Sequence, residues 1–510
     1  MSRKRADSVA IRKARRRSRQ ARMNLRDQQR AQGLKPPVKP TIANHLSQCK
    51  SPQEEQQARE EAVVEKVAII RAQLPTLLAR LAQIPDPRCA KKTKHLLTSL
   101  MLYGILCFVL QIASRRQANR EVSRPTFKDN LMRLFPELAS LAHHDTLMRL
   151  LDRIDVEQIQ EAHIELVRRL IRKRKFQQLL IEGHYPIAID GTQKFAGSTL
   201  WDEQYLQRQV GDEKHRRQQY YLGVLEAVLA FGNGMRIPLM SEFLDYGKGD
   251  SERDKQDCET RAFYRLAKRL HEAFPRLPIM VLLDGMYPTG PTMQLCKQLG
   301  WQFMIVLQDD SLPQVWEEYR GLKKLLEPKD RHQMNWGGRR QTFHWTNRIE
   351  YDYQEKGNPR RLTVHLVVCE ERWQQIDPAT EHEVTRTSHH AWLSSKALSQ
   401  ENVHRRCNLA ARYRWAIEEE ILIEKRCGYH YQHCFSYSWS AMKGYHYLMR
   451  IAHLLNVLVQ YSSQFAKLVG ELGAQGMIGF IRQTLSGPWL DHEQVAQALA
   501  RPRQLRFAMT

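Results

Sequence analysis

The sequence predicts an α/β protein: a mixed sheet, split by a β-rich insertion and preceded by a helical region. Three observations predict it. Between residues 185 and 308, short apolar runs and amphipathic stretches follow the order strand, strand, strand, helix, strand, helix, strand. Residues 309–400 change to half-polar strand patterns with little helix signal, and helical periodicity returns at 401. The first 180 residues instead read as a basic tail plus helices, with apolar positions three and four apart over 143–175.

The chain has 510 residues, 42% of them hydrophobic, which suits two to four domains with sizeable cores. Its 79 Lys and Arg against 55 Asp and Glu leave a net charge of +24. A charge that large speaks of partners rather than fold, and polyanions fit it best. Residues 1–40 hold 14 Lys or Arg against two acids, Asp7 and Asp27, so half the excess lies in one tail. The tail lacks an apolar h-region and is no secretory signal. Residues 1–52 are expected to be a disordered or fold-on-binding arm that contacts phosphate, with Pro36, Pro37 and Pro40 near its end. A tail that only solubilises the chain is the plainer alternative. Nine cysteines without a framework point to free thiols in a reducing, cytoplasmic compartment.

Residues 53–180 are expected to be helical and, being basic, to bind DNA. A polar-then-amphipathic helix fills 53–85 until "PDPR" at 85–88 breaks it. The run "HLLTSLMLYGILCFVLQIAS" at 95–114 has about membrane length, but Thr98, Ser99, Tyr103 and Gln111 interrupt it. It reads as a buried core helix, so no membrane partner is expected. Residues 143–175 read as two helices.

From 181 to 308 the strands are "YPIAID" (185–190), two runs at 220–234 and 235–247 joined by a Gly-Asn-Gly turn, "PIMVLLD" (278–284) and "WQFMIVLQ" (301–308). Helices fall at 255–274 and at "TGPTMQLCKQLG". Residues 309–400 form the β-rich insertion, 401–465 are helical, and 466–510 make a small helical extension.

Two aspartates stand out. Asp190 and Asp284 each close an apolar strand and each precedes glycine. Strand ends are where open α/β folds present functional groups. Two carboxylates a few ångströms apart repel, and a divalent ion relieves that; Mg²⁺ takes few protein carboxylates along with water and phosphate oxygens. A strand-end aspartate is also an ordinary turn residue.

A third carboxylate comes from "RYRWAIEEEILIEK", residues 412–425. At about 100° per residue, Arg414 lies about −40° and Lys425 about −20° from Glu418, whereas Glu419, Glu420 and Glu424 fall about 100°, 200° and 240° away. Glu418 is thus flanked by two cations, and the other three glutamates are expected on a solvated face. Plain ion pairing at i,i+4 would also explain the pattern. Glu242 and Asp245 are read as surface or supporting acids. "CGYHYQHC" offers Cys427, His430, His433 and Cys434, but its spacing strains tetrahedral zinc geometry, so its aromatics are expected to pack on the sheet.

Taken together, Asp190 with Gly191 and Thr192, Asp284 with Gly285, the β-rich insertion and "RW-x-I-E-x6-K" resemble the DDE transposases of bacterial insertion sequences. More narrowly, they resemble the insertion-sequence-four type, whose motif is Y-x2-R-x3-E-x6-K. Arg414, Glu418 and Lys425 fit its R, E and K, and Ala411 stands where its tyrosine would be. The segments 144–151 and 441–458 share the resemblance, which spans roughly 140–465.

The resemblance implies a ribonuclease-H-like catalytic domain. Asp190, Asp284 and Glu418 would bind two Mg²⁺, with Mn²⁺ as a substitute, and Arg414 and Lys425 would hold DNA phosphate. It also implies double-stranded DNA partners (transposon ends and target), a homodimer in a synaptic complex, and a bacterial, nucleoid-associated setting. A tryptophan of the insertion, Trp336 or Trp345, would stack on a flipped base, unless each is a core anchor. The function implied is cleavage and strand transfer at inverted repeats. A ribonuclease-H-fold nuclease without strand transfer and a transposase relic acting as a DNA-binding repressor are the alternatives.

Overall fold

The computed structural model describes residues 2–32, 46–213, 215–249, 256–325, 327–355, 357–377, 379–380, 382–501 and 504–508. Pro36, Pro37 and Pro40, read as closing the basic arm, lie outside them. In chain order the chain begins with α1 (Ser2–Ala31), α2 (Pro52–Arg71), α3 (Leu74–Leu81), α4 (Leu97–Val109), α5 (Arg115–Glu121), α6 (Pro125–Leu134), α7 (His144–Leu151) and α8 (Glu157–Arg172). Next come β1 (Tyr185–Gly197), β2 (Leu206–Val210), β3 (Arg217–Ala230), β4 (Arg236–Phe243), α9 (Glu259–Ala273), β5 (Ile279–Leu283), α10 (Gly290–Gln298), β6 (Gln302–Val306) and α11 (Pro313–Lys323). The remainder is β7 (Arg331–Trp336), β8 (Arg339–Glu355), β9 (Asn358–Ile376), β10 (Glu383–Ser394), α12 (Val403–Cys407), α13 (Trp415–Arg426), α14 (Trp439–Gln460), α15 (Ala466–Ser486) and α16 (His492–Ala500). These elements form two compact units, the first from Met1–Pro40 with Ile279–Arg412 and the second from Thr41–Pro278 with Tyr413–Thr510.

In the first unit the strand order is β5-β6-β10-β9-β8-β7. β5 and β6 run parallel, and every other pair in that order is antiparallel. The end of β10, Trp392–Ser394, pairs with β6 while the same strand pairs with β9 along its length. The strands expected as an insertion therefore continue the β5–β6 sheet. Trp345 on β8 fills the core of this unit at 1% exposure. Residues 309–400 carry little helix signal in sequence, yet α11 forms there. Pro313 at its start has a φ suited to the first helical turn, and Val315, Trp316 and Tyr319 are buried on one face. α1 forms within the segment expected to be a disordered or fold-on-binding arm. Its Arg, Ala and Gln content favours helix, and Ser18, Leu25 and Gln29 are buried, with Gln29 Nε2 donating to the Gln374 carbonyl at 3.0 Å.

In the second unit β3 is the hub. It pairs with β1 from Ile187 to Gly197 on one edge, and on the other with β2 near its start and β4 near its end. The expected turn between β3 and β4 is present: the Phe231 amide donates to the Met235 carbonyl at 3.0 Å, and Gly234 takes φ 87°, which glycine tolerates best. β2 was not foreseen, because three of its five residues are exposed and polar. The expected pair of helices at 143–175 is α7 and α8, separated by a turn at residues 152–156.

Twelve of the thirteen residues of α4 are buried, as the core-helix reading expected. Among the described residues no helix is long and apolar enough to cross a membrane. α4 packs against α14, and Gly104 permits the approach: a Cβ there would meet side chains of Leu147 and Leu448 at 2.7 and 2.9 Å. Each buried leucine in this stack contributes roughly 1.5–3 kcal/mol of transfer free energy. α13 packs on β1 and β3, which decides where its acids fall.

Candidate functional site

Asp190 lies on β1 where burial ends, although the strand does not. Residues Tyr185–Ile189 are buried, Asp190 is half-buried, and β1 runs on to Gly197. The sequence expectation of a strand closing at Asp190 is corrected accordingly. Apolarity stops there because the face ahead is open, while the antiparallel ladder with β3 continues through Gly197. The Gly191 amide donates to Asp190 Oδ1 at 3.0 Å. Gly191 itself is crowded, since a Cβ there would meet the Glu259 carboxylate at 2.2 Å.

Glu418 sits in the first turn of α13, where the helix dipole favours an acid. A 3-10 turn over Ala411–Arg414 leads into that helix. The Arg414 guanidinium joins the two acids: Nη2 donates to Glu418 Oε1 at 2.6 Å, and Nη1 lies 3.6 Å from Asp190 Oδ2. Arg414 is only 4% exposed, yet its Nε and Nη1 have no hydrogen-bond acceptor. Two buried donors without acceptors cost free energy unless an anion meets them. The guanidinium also stands 4.4 Å from the ring centroid of Trp415, which is 59% exposed. Lys425 shares this side, donating from Nζ to Thr192 Oγ1 at 2.6 Å, and burial lowers its ammonium. The structure thus brings together Asp190, Thr192, Arg414, Glu418 and Lys425.

The other glutamates of α13 do not form the solvated face expected of them. Glu419 does, being 64% exposed on its side chain and paired with Arg236. Glu420 and Glu424 are buried, at 1% and 0%. Helical spacing gives angles relative to Glu418, not which side meets the interior, and the side opposite Glu418 meets buried Arg450 and His453 of α14. Arg450 Nη1 reaches both Glu424 oxygens at 2.9 and 3.0 Å, and His453 Nδ1 lies 2.7 Å from Glu424 and 3.2 Å from Glu420. Glu226, paired across the strands with Asp190, is fully buried with them. It accepts from Ser241 at 2.6 Å and Tyr431 at 2.8 Å, with Arg450 at 3.4 Å.

Burial raises both the Glu226 and the Glu420 carboxyls. Burial pushes Glu424 the same way, but Arg450 and His453 reverse it and hold that carboxyl below its ordinary value. Lys194 is buried nearby, its Nζ 2.8 Å from the Tyr431 carbonyl, and burial lowers it to about 8.

Asp284 belongs to the first unit, directly after β5, and its Oδ1 accepts from the Met286 amide at 2.9 Å. Gly285 is needed beside it, because a Cβ would meet the Gln308 side chain at 2.7 Å. The two tryptophans part ways. Trp336 is partly exposed, with the Arg412 guanidinium 5.4 Å from its ring, whereas Trp345 is sealed in the core and cannot reach a base. Glu242 is also not a surface acid. It is 3% exposed and bonded to Arg265 and Arg269 at 2.6 Å each. Among the described residues Cys427, His430, His433 and Cys434 make no metal-ligating cluster, and Tyr429, Tyr431 and Phe435 are buried as expected.

Glu226, Glu424, Arg450, His453, Thr192 and Trp415 were missed as site residues. A signal existed for three of them. Arg450 and His453 stand one turn apart in a helix with eighteen of twenty-two residues buried, so each needs a polar partner, and Glu420–Glu424 has the matching spacing.

Residues 78–167, from α3 into α8, match the DDE_Tnp_1-associated family model. That match supports a DDE-type transposase. No curated protein matches the chain. Among solved structures, a cryo-EM structure of a piggyBac transposase synaptic complex with hairpin DNA is similar at 12% identity and a TM-score of 0.32, over 89% of this chain and 86% of that one. A likeness of that size fixes neither fold nor activity.

Proposed function

We propose that this protein is a transposase of the insertion-sequence-four kind, with a ribonuclease-H-like catalytic core, that binds the inverted-repeat ends of its element, cuts the DNA there and joins it to a target. The observation that carries this reading is the meeting of Asp190 and Glu418 on the Arg414 guanidinium, two of whose buried nitrogens lack acceptors. The transposase-associated match over residues 78–167 supports it.

Arg414 and Lys425 bind phosphate oxygens of the transposon end and steady charge on the transferring phosphoryl group. An oxygen nucleophile, water or a DNA 3′-hydroxyl, bonds to the scissile phosphorus as the opposite P–O bond breaks, and the leaving oxygen takes a proton. Asp190 and Glu418 offer hard oxygen donors at partial exposure, which suits Mg²⁺, and Asp284 is assigned as the third ligand from the sequence pattern. When bound, two Mg²⁺ would activate the nucleophile and stabilise the leaving oxygen. Trp336 is the candidate to stack on an unpaired base. Synapsis of two ends requires a dimer, and the site of action is the bacterial nucleoid.

The test is Mg²⁺-dependent cleavage of end-containing DNA followed by strand transfer into a plasmid. Loss of both in Glu418→Gln with binding retained supports the reading. Cleavage at the wild-type rate in that variant removes Glu418 from the site, and cleavage without strand transfer in the wild type makes the protein a nuclease.

A further inference from the structure

We propose that the second unit contains a binding site for one divalent transition-metal ion, held by Glu420, Glu424 and His453 on the face of α13 opposite Glu418. One oxygen of each carboxylate and one imidazole nitrogen lie within 4.8 Å of one another. Ligands of a tetrahedral zinc ion at about 2.0–2.1 Å stand roughly 3.3 Å apart, close to the 3.2 Å between His453 Nδ1 and Glu420 Oε1. The 2.7 Å between His453 Nδ1 and Glu424 needs only a small spreading.

Two further observations point to a cationic occupant. A cavity of about 420 Å³ adjoins the cluster, lined by Glu420, His453, Asn456 and Arg236 among others. Glu420 Oε1 and Asn456 Oδ1, on residues 1% and 3% exposed, have no hydrogen-bond donor. Asn456 Nδ2 is already engaged with the Val109 carbonyl at 3.1 Å and the Tyr429 hydroxyl at 3.0 Å, so its oxygen is the atom left over. Native interiors seldom leave two acceptors so. Arg236 Nε is an unbonded donor in the same wall, which a water on the ion can meet.

The cluster sits among buried partners: Arg450 faces Glu226 and Glu424, and His453 Nδ1 faces both Glu420 and Glu424. Nitrogen with carboxylate oxygens suits Zn²⁺ or Mn²⁺ rather than Mg²⁺, which demands octahedral oxygen and keeps several waters. Bound there, the ion would pin α13 to α14 through the interior.

The experiment uses the full chain carrying Asp190→Asn, Asp284→Asn and Glu418→Gln, which removes metal ligation at the proposed catalytic face. The protein is stripped with chelator and titrated with ZnCl₂ or MnCl₂ by calorimetry, with thermal unfolding followed in parallel. The expected result is one ion per chain and a rise in Tm, with affinity falling at least about 100-fold when Glu420→Gln or His453→Gln is added. Co²⁺ binding to the same background gives tetrahedral d–d bands, a readout that needs no ligand variant to fold. No saturable binding, or binding unchanged by both substitutions, overturns the site and assigns any uptake to other histidines and cysteines. The outcome does not depend on whether the protein cuts DNA.

Discussion

The two sides of α13 handle charge in opposite ways. On one, Asp190 and Glu418 share Arg414, whose Nε and Nη1 have no acceptor, and the acids keep side-chain exposures of 17% and 42%. On the other, Glu424 is completely buried and its oxygens take three contacts from Arg450 and His453. A buried pair answered by its partners fixes a helix in place, whereas a partly open one leaves donors ready for something that arrives. The difference teaches that acids of one helix, a few residues apart, divide between a partly open face and an interior one held by buried cations.

The largest expected effect tests the open side. Asp190→Asn should reduce Mg²⁺-dependent cleavage by at least about 10³-fold while DNA affinity, read by gel shift, stays near wild type. A loss of binding in step with cleavage would make Asp190 a structural residue and erase the contrast. Arg450→Met tests the closed side. It leaves Glu424 and Glu226 buried without their shared cation and should cost about 3–5 kcal/mol in urea unfolding.

Lys66 sharpens the rule from a third place. It is 1% exposed on α2, its ammonium has no hydrogen-bond acceptor, and burial lowers it from 10.5 to about 7. The unfolded chain holds that proton more tightly, so stability falls as pH drops from 10.5 towards 7, by a few kcal/mol in all, and is flat below. Lys66→Met should raise Tm at pH 7 and flatten its dependence between pH 7 and 9. An unchanged slope would mean the ammonium finds a partner. The smallest effect belongs to Glu419→Ala, which removes an exposed pair with Arg236 and should change stability by less than about 1 kcal/mol.

Much of this architecture was legible. The apolar runs ending at Asp190 and Asp284 located β1 and β5, and the Gly-Asn-Gly turn located the β3–β4 hairpin. These are local signals, written in periodicity and turn chemistry. The helical wheel also placed Arg414, Glu418 and Lys425 on one side, and Arg414 and Lys425 do engage Glu418 and Thr192. What it lacked was an absolute direction. Whether Glu420 and Glu424 meet water or protein depends on α14, whose Arg450 and His453 come from a segment about thirty residues away. Likewise Trp336 and Trp345 look equivalent in sequence, and only the β8–β9 pairing tells which one is covered. α11 and β2 were missed because each shows few apolar residues to the eye.

The second unit is assembled from two stretches of chain with residues 279–412 between them. Asp190 lies in the earlier stretch and Glu418 in the later, 228 positions further on. At about 5–20 residues per second, synthesis needs roughly 11–46 s to travel that distance. Throughout this interval the nascent chain displays the N-terminal basic segment and Asp190 but not Glu418 or α14. Its basic segment is therefore made well before both acids of the candidate site are present. Under the proposed function, the order of translation would separate the phosphate-binding arm from a complete site, by the route of the chain alone.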